Sequence, residues 1–406
     1  MRFCLVTTFF PPEHFGGDGV FVAHQANLLA EAGHHVEVVH CSDSFQLLRG
    51  SVQPSPMVLN PSVIVHRLQS AWGAFSPIAT HITGSPYGKP LAAIFQRGFD
   101  VIHWHNTSLV GGPGALHLGN AIKLCTLHDY WLICPTSVLY RYNREICNKQ
   151  ECIRCSLSYG RPPQLWRGTS LMSDGLSHIH RFFAPSRYVQ QRLLASSLRI
   201  QADVLPHFLP EQPRLLKTEP SYYLFAGRLE KLKGLQTILP IFIRSGRRLR
   251  VAGSGSYAGE LQQMAKDAAN IEFLGRIPQC DMPALYAGAI ATLVPSLCEE
   301  TFGLTILESL QQGTPSIVSA NGALPETIAA CQVGDVFHTE TELERILQRL
   351  DRHEEPPVQP DLRQFSPQYH LELYLTMIGE IREGIGHAAG KHSAMSQSAL
   401  STSNSQ

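Results

Sequence analysis

The sequence predicts an α/β protein made of two doubly wound halves, each built on a parallel sheet. Short apolar runs alternate with amphipathic helical patterns from one end to the other. Pro206, Pro210 and Pro213 punctuate the middle, and the same alternation begins again after them. At 406 residues the chain has the length for two or three domains with sizeable cores.

Residues 2–8 form a first buried strand, followed by PPEHFGGDG and a helix over 18–32. Val22, Ala26 and Leu29 share one face of that helix, Asp18 is placed to cap it and Gly33 to end it. Strand two is 34–41, a loop rich in Ser, Pro and Gln runs to 61, and 62–68 is another strand. Residues 100–105 and 121–127 read as central strands. From 136 to 168 the periodicity gives way to Cys, Arg and Tyr, the mark of an insertion or flap. Order returns with a strand at 182–184, a helix at 187–196 and a strand at 202–205. The second half begins at 221, with strands at 222–226, 249–252, 271–274, 290–294, 316–319 and 335–337. Helices are expected at 303–312, 341–350 and 366–382, and the low-complexity end reads as disordered. The domain expectation is 1–208 with a Cys-rich insertion at about 134–168, 209–365, a crossover helix over 366–385, and a disordered tail over 386–406.

Basic and acidic residues number 33 each, so the formal net charge is zero. That argues against a nucleic-acid partner held by bulk charge. No apolar run approaches the ~18 residues of a membrane span. The run 3–10 is short and stops at Pro11-Pro12, which fits a buried strand rather than a signal peptide. Ten cysteines without an export signal point to reduced thiols or a metal site, with the cytoplasm as the expected compartment.

Chemistry concentrates first in PSLCEETFGLTILESLQQGTPSIVSANG, residues 295–322. A strand stops at Pro295, a polar loop carries Glu299 and Glu300, and a helix starting near Gly303 carries Glu308. In an open α/β sheet ligands bind at this place. A helix start favours anions and a carboxylate suits a sugar diol, so the pair suggests a nucleotide-sugar. The plain alternative is that Thr305-x-x-Glu308 is only a capping box.

Gly16-Gly17-Asp18-Gly19 lets backbone approach a ligand at a helix start, or is an ordinary turn. In FAGRLEKLKG, Arg228 and Lys233 can reach one diphosphate from two sides, while Lys231 reads as solvated charge. LRVAGSGSYAG, with Gly253 and Gly255 and with Glu272 about twenty residues on, weakly resembles a dinucleotide fingerprint. Glu272 also alternates as the polar face of a strand would.

His103 and His105 lie two apart on a strand and share a face, with His128-Asp129 ending another strand. Sugar hydrogen bonding suits them better than zinc, since no third ligand lies at a known spacing. Cys134, Cys147, Cys152 and Cys155 crowd the insertion and could hold a structural zinc, form a disulfide or redox pair, or stand idle. Arg141, Arg144, Lys149, Arg154, Arg161 and Arg167 beside them read as a patch for an anionic acceptor or phospholipid, or as solvated loop charge.

Together these segments resemble the family 4 retaining glycosyltransferases of GT-B fold. PPEHFGGDG with LLAEAGHHV is similar to the family's glycine loop and helix, and FAGRLEKLKG to its diphosphate segment. EETFGLTILE, with PS before it and GTP and NGALPE after it, resembles the E-x7-E signature. HDYWLICP and the following cysteines resemble a subset that acts in cell-surface polysaccharide synthesis.

The resemblance implies two Rossmann-like domains facing a cleft, with a C-terminal helix crossing back to the first. On matching positions Glu308 takes the ribose, Glu300 the donor sugar, and Arg228 with Lys233 the diphosphate. Gly16 and Gly17 face the phosphates, Gly253 touches the nucleotide, and Phe302, Gly303, Leu304 and Thr305 add backbone amides. His128 stands at the reaction centre, with His103, His105 and Asp129 on the acceptor side. VLPHFLP departs from the Asn-Gly pair many relatives carry between the domains.

The chain has no Asp-x-Asp, so cations and helix dipoles must neutralise the leaving diphosphate without a metal cofactor. The expected activity is metal-independent transfer from a nucleotide-diphosphate-sugar to a glycan or lipid-linked acceptor, in a cytoplasmic protein with peripheral contact at the inner membrane surface. The rival classes are an NAD(P)-dependent oxidoreductase using Gly253-x-Gly255, and a non-catalytic sugar-nucleotide-binding protein.

Overall fold

A computed structural model describes residues 1–402 apart from 51, 85–87, 216–218 and 353–358, with side chains described as far as 385. Among the described residues the first half holds β1 (Arg2–Val6), β2 (His35–Cys41), β3 (Ile64–Leu68), β4 (Val101–Trp104), β5 (Ile122–Thr126), β6 (Tyr140–Arg141), β7 (Glu145–Ile146), β8 (Arg181–Ala184) and β9 (Asp203–Val204). Seven of these form a parallel sheet in the order β3-β2-β1-β4-β5-β8-β9, and β6 pairs antiparallel with β7. The second half holds β10 (Tyr222–Ala226), β11 (Leu249–Ala252), β12 (Ile271–Gly275), β13 (Ala289–Val294), β14 (Ser316–Ser319) and β15 (Asp335–Phe337). They form a parallel sheet in the order β12-β11-β10-β13-β14-β15. This is the expected α/β architecture. Strand order reverses between β1 and β4 and again between β10 and β13, so each half has its crevice there.

Both faces of each sheet are covered, which is why the strands read as unbroken apolar runs. On β1, Phe3 and Leu5 point into one core and Cys4 and Val6 into the other, as the two-residue repeat requires. Tyr374 and Ile378 of the last helix, Pro367–Thr402, complete the first of these cores. The Tyr374 hydroxyl and His103 Nδ1 are 2.8 Å apart. In the second half Tyr223, Phe225, Val251, Leu293 and Ile317 pack together, with Leu239 and Phe242 of the helix Leu235–Ser245 over them.

Several local expectations are corrected. The stretch after β2 is not a plain loop: Ser42–Leu48 is a helix, because Phe45 buries fully and lies 5.0 Å from the Phe15 ring. Asp18 does not cap the first helix, Gly17–Glu31, whose N-cap is Gly16 without a side-chain bond. Its carboxylate instead accepts from the Gly19 N–H and from Asn106 Nδ2. The last helix, Pro367–Thr402, extends past 386, from which an unstructured tail was expected. Residues 403–406 of that tail lie outside the described residues.

The insertion joins the core of the first half, where Leu139 and Trp166 cluster with Trp104 and Val110. Besides the β6–β7 hairpin it carries a helix, Cys152–Ser158, and a short turn, Leu165–Gly168. Trp166 is buried, and the Arg167 guanidinium lies 4.5 Å above its ring. The Tyr140 side packs on Leu232 and Cys298 of the second half. Packing thus supplies the order for which zinc was expected. Among the described residues no disulfide joins any of the ten cysteines, and no group of three or more His, Cys, Asp or Glu side chains is arranged to hold a metal. A structural zinc, one of the readings of the four insertion cysteines, is not supported. Among the described residues no helix is long and apolar enough to cross a membrane.

Candidate active site

β10 and β13 are neighbours, so the loops that leave them rise side by side where strand order reverses. The first loop ends in the turn Lys231–Lys233, and the second carries Glu300. Lys233 Nζ donates to Glu300 Oε1 at 2.6 Å, and Ser296 Oγ donates to the same oxygen. Burial pushes the Glu300 carboxyl up, but Lys233, the Ser296 hydroxyl and the Arg228 charge together outweigh it and hold the group below its ordinary range. The carboxylate is therefore ionised at neutral pH, in the field of two cations.

The helix Leu304–Gln311 begins directly after this loop. Its N-cap is Gly303, with no side-chain cap, so Thr305-x-x-Glu308 does not act as a capping box. Glu308 turns outward instead: the Tyr286 hydroxyl donates to its Oε2 at 2.7 Å and Gln279 Nε2 to its Oε1 at 3.3 Å. Burial first, and then Glu308, raise the Tyr286 hydroxyl far above its ordinary value, so it stays a donor. Across from the helix start stands the glycine loop of the first half. A Cβ built on Gly17 would sit 3.5 Å from Leu304 Cδ1.

Gly253 and Gly255 have a different reason to be glycines. A Cβ on Gly253 would lie 1.8 Å from the Gly227 carbonyl oxygen, and one on Gly255 would lie 2.3 Å from that of Leu229. The two loops touch backbone to backbone, so the glycines let the Arg228 loop seat. Glu272, the supposed ribose ligand of a dinucleotide, pairs instead with Arg250 on the neighbouring strand at 2.9 Å. The oxidoreductase reading loses both of its supports.

The two halves meet along residues 299–302. Glu299, next to Glu300, points the other way, to Arg192 of the first half at 3.0 Å. Thr301 Oγ1 donates to the His128 carbonyl oxygen at 2.9 Å, and Ser186 Oγ to the Thr301 carbonyl oxygen at 2.9 Å. Glu326 accepts from the backbone N–H groups of Arg187 and Tyr188, where a helix start favours a carboxylate. Phe302 is buried against His207 and Phe365. Reading the sequence missed Arg192, Glu326, Tyr286, Ser296 and His207. Ser296, Glu326 and His207 lay inside quoted segments, PS, NGALPE and VLPHFLP, without being picked out as residues.

The histidines of the first half pack against one another and against the linker. His103 is fully buried, with Tyr374 and Thr126 hydroxyls at 2.8 Å from its two nitrogens. His105 is also buried and meets His128. His128 is half-buried, both its nitrogens facing other histidines, and burial presses it down to about 4 against the pull of Asp18. Asp129 ties down the turn that opens the insertion, accepting from the Trp131 N–H at 2.7 Å. Burial raises its carboxyl to about 6, although that N–H works the other way.

Known proteins resemble this chain along most of its length. Residues 210–366 match the family model for glycosyl transferases group 1, and 15–209 that for glycosyltransferase family 4. An uncharacterized glycosyltransferase of Methanocaldococcus jannaschii is 33% identical over 366 residues, 81% of this chain and 83% of that one. A glycogen synthase of Mycobacterium tuberculosis is 33% identical over 360 residues, 82% and 81% of the two chains. Among solved structures, sucrose-phosphate synthase from Thermosynechococcus elongatus superposes with a TM-score of 0.62 at 17% identity, over 97% of this chain and 100% of that one. Anabaena HepE in complex with UDP-glucose superposes at 0.60 and 15% identity, over 95% and 100%. With the two family models meeting at the linker and a relative alike over four-fifths of its length, this chain belongs to the family 4 glycosyltransferases of GT-B fold.

Proposed function

We propose that the chain transfers a sugar, with retention, from a nucleotide-diphosphate-sugar to a glycan or lipid-linked acceptor in cell-surface polysaccharide or glycoconjugate synthesis. The observation that carries the reading is the convergence of Lys233 and Arg228 on Glu300 at the start of the helix Leu304–Gln311. Arg228 and Lys233 take the diphosphate, which gathers negative charge as the sugar–oxygen bond breaks. Glu308, oriented by Tyr286, takes the ribose hydroxyls, and Glu300 a hydroxyl of the donor sugar. Backbone amides from 302 to 305 and the loop at Gly16 and Gly17 complete the donor site. The acceptor hydroxyl attacks from the face the nucleotide leaves, and a departing phosphate oxygen takes its proton. The two cations supply the neutralisation, so no cofactor is assigned.

Residues 1–208 would bind the acceptor and 209–365 the donor, with 366–385 tying the second to the first. We place the protein in the cytoplasm with peripheral membrane contact through the insertion. Ile153, Leu157 and Leu165 are exposed there beside Arg154 and Arg161. The test is a thermal-shift and turnover panel of UDP-, GDP- and ADP-sugars, beginning with UDP-glucose, on the wild type and on Arg228→Ala and Lys233→Ala. Turnover that survives unchanged in both variants would discredit the assignment. Donor binding without turnover across a broad acceptor set would favour a non-catalytic binder.

A further inference from the structure

Three histidines from three parts of the chain form a ring-to-ring array at the junction of the halves. His105 follows β4, His128 follows β5, and His207 sits on the linker between the sheets. His105 Nδ1 and His128 Nε2 are 2.9 Å apart, and His128 Nδ1 and His207 Nε2 are 3.1 Å apart. The outer nitrogens, His105 Nε2 and His207 Nδ1, are buried and have no hydrogen-bond partner among the described residues. A neutral imidazole donates from one nitrogen and accepts at the other. His128 must therefore donate to one flank and accept from the other, and its tautomer is fixed together with those of its neighbours.

The second half completes the arrangement. The Phe302 ring lies 5.1 Å from the His207 ring, and Phe21 covers it at 4.1 Å. Thr301 Oγ1 holds the His128 carbonyl oxygen from the same loop that carries Glu300. His128 is thus gripped by the first half, the linker and the second half at once. Drawing the halves apart would release the Thr301 grip and take Phe302 from the face of His207.

We propose that His207 is a positioning residue for His128. It sets which ring nitrogen of His128 carries the proton and fixes the plane of the ring, and it does so in the closed arrangement, so that closure itself prepares the reaction centre. The proposal rests on the reading that His128 stands beside the donor sugar. It gives the linker histidine a task of its own.

The test uses the full chain labelled with 15N-histidine, with ring proton–nitrogen correlations recorded without substrate. Wild-type His128 should show one tautomer with both nitrogens displaced from free-imidazole positions. His207→Phe keeps a ring against Phe21 and Phe302 but removes the nitrogen, and should turn the His128 signal into a tautomer mixture. His207→Gln, which brings an amide within reach, should keep a single form. In turnover, His207→Phe should lower kcat about tenfold while donor KM stays within about twofold, and His207→Gln should recover most of the loss. Unchanged His128 resonances in His207→Phe, or a kcat equal to that of the wild type, overturns the proposal. If the wild type turns over no donor, the glycosyl-transfer reading falls, and the imidazole spectra alone then decide the role of His207.

Discussion

Lys233 and Glu300, from the loops of two adjacent strands, are joined at 2.6 Å. A diphosphate arriving beside Arg228 would compete with that carboxylate for the lysine and leave Glu300 free for a sugar hydroxyl. Lys233→Ala should therefore lower kcat/KM for the donor by about 2–4 kcal/mol, roughly thirtyfold to a thousandfold. Glu300→Gln should lower kcat with little change in affinity for the nucleotide diphosphate alone. Steady-state kinetics with product-inhibition constants reads both. Wild-type values in either variant would remove that residue from the donor site.

Tyr286 reaches Glu308 with its hydroxyl from a buried position. Tyr286→Phe removes one donor from an ionised acceptor without opening a cavity. The expected loss in nucleotide affinity is about 1.5–3 kcal/mol, with kcat changed far less. Calorimetric titration of the nucleotide into both proteins measures it, and equal dissociation constants would show that Glu308 does not depend on this support.

Acid should unfold the protein early. Burial presses His128 and His370 down to about 4 and drives His103, His105 and His207 well below the ordinary histidine value. In the unfolded chain each titrates near 6.5. Between those limits the unfolded state binds more protons, so stability is intact above about 6.5 and is lost as the pH falls. The slope is up to about 1.4 kcal/mol per pH unit for each histidine. Melting temperature measured from pH 7.5 to pH 5 should drop progressively below pH 6.5. A flat curve would mean that these rings accept protons without leaving the fold.

Gly253→Ala places a methyl 1.8 Å from the Gly227 carbonyl oxygen at a φ of 144°. The Arg228 loop or the strand behind it must move, at a cost on the order of 3 kcal/mol or more. Gly259→Ala, where a Cβ meets nothing within 4 Å, is the control and should stay within about 0.5 kcal/mol. Denaturant unfolding compares the two. Equal midpoints would return Gly253 to the role of a ligand contact.

The architecture was legible because the central strands of each sheet are buried on both faces. Residues 222–226, 249–252, 316–319 and 335–337 announce themselves as apolar runs and are strands over the same bounds. Arg228, Lys233 and Glu300 could be grouped because short loops at strand ends have one place to go. The partners of that group were hidden by distance along the chain. Glu299 and Glu300 look alike in a string of letters, yet one turns to Arg192 and the other to Lys233. Glu326 reads as helix surface until Arg187 and Tyr188 present their N–H groups from the other half. Cysteines suggested zinc where a tryptophan and an arginine do the ordering. The helix Ser42–Leu48 was obscured by polar residues around one deeply placed phenylalanine.

Tyr374 and Ile378 belong by sequence to the end of the chain and by packing to the hydrophobic interior of its beginning. Exchanging donor specificity between such enzymes by joining one N-terminal segment to one foreign C-terminal segment would strip those two side chains from their native setting. A working chimera needs two junctions, one near residue 209 and one near 366, so that the recipient keeps its own terminal helix.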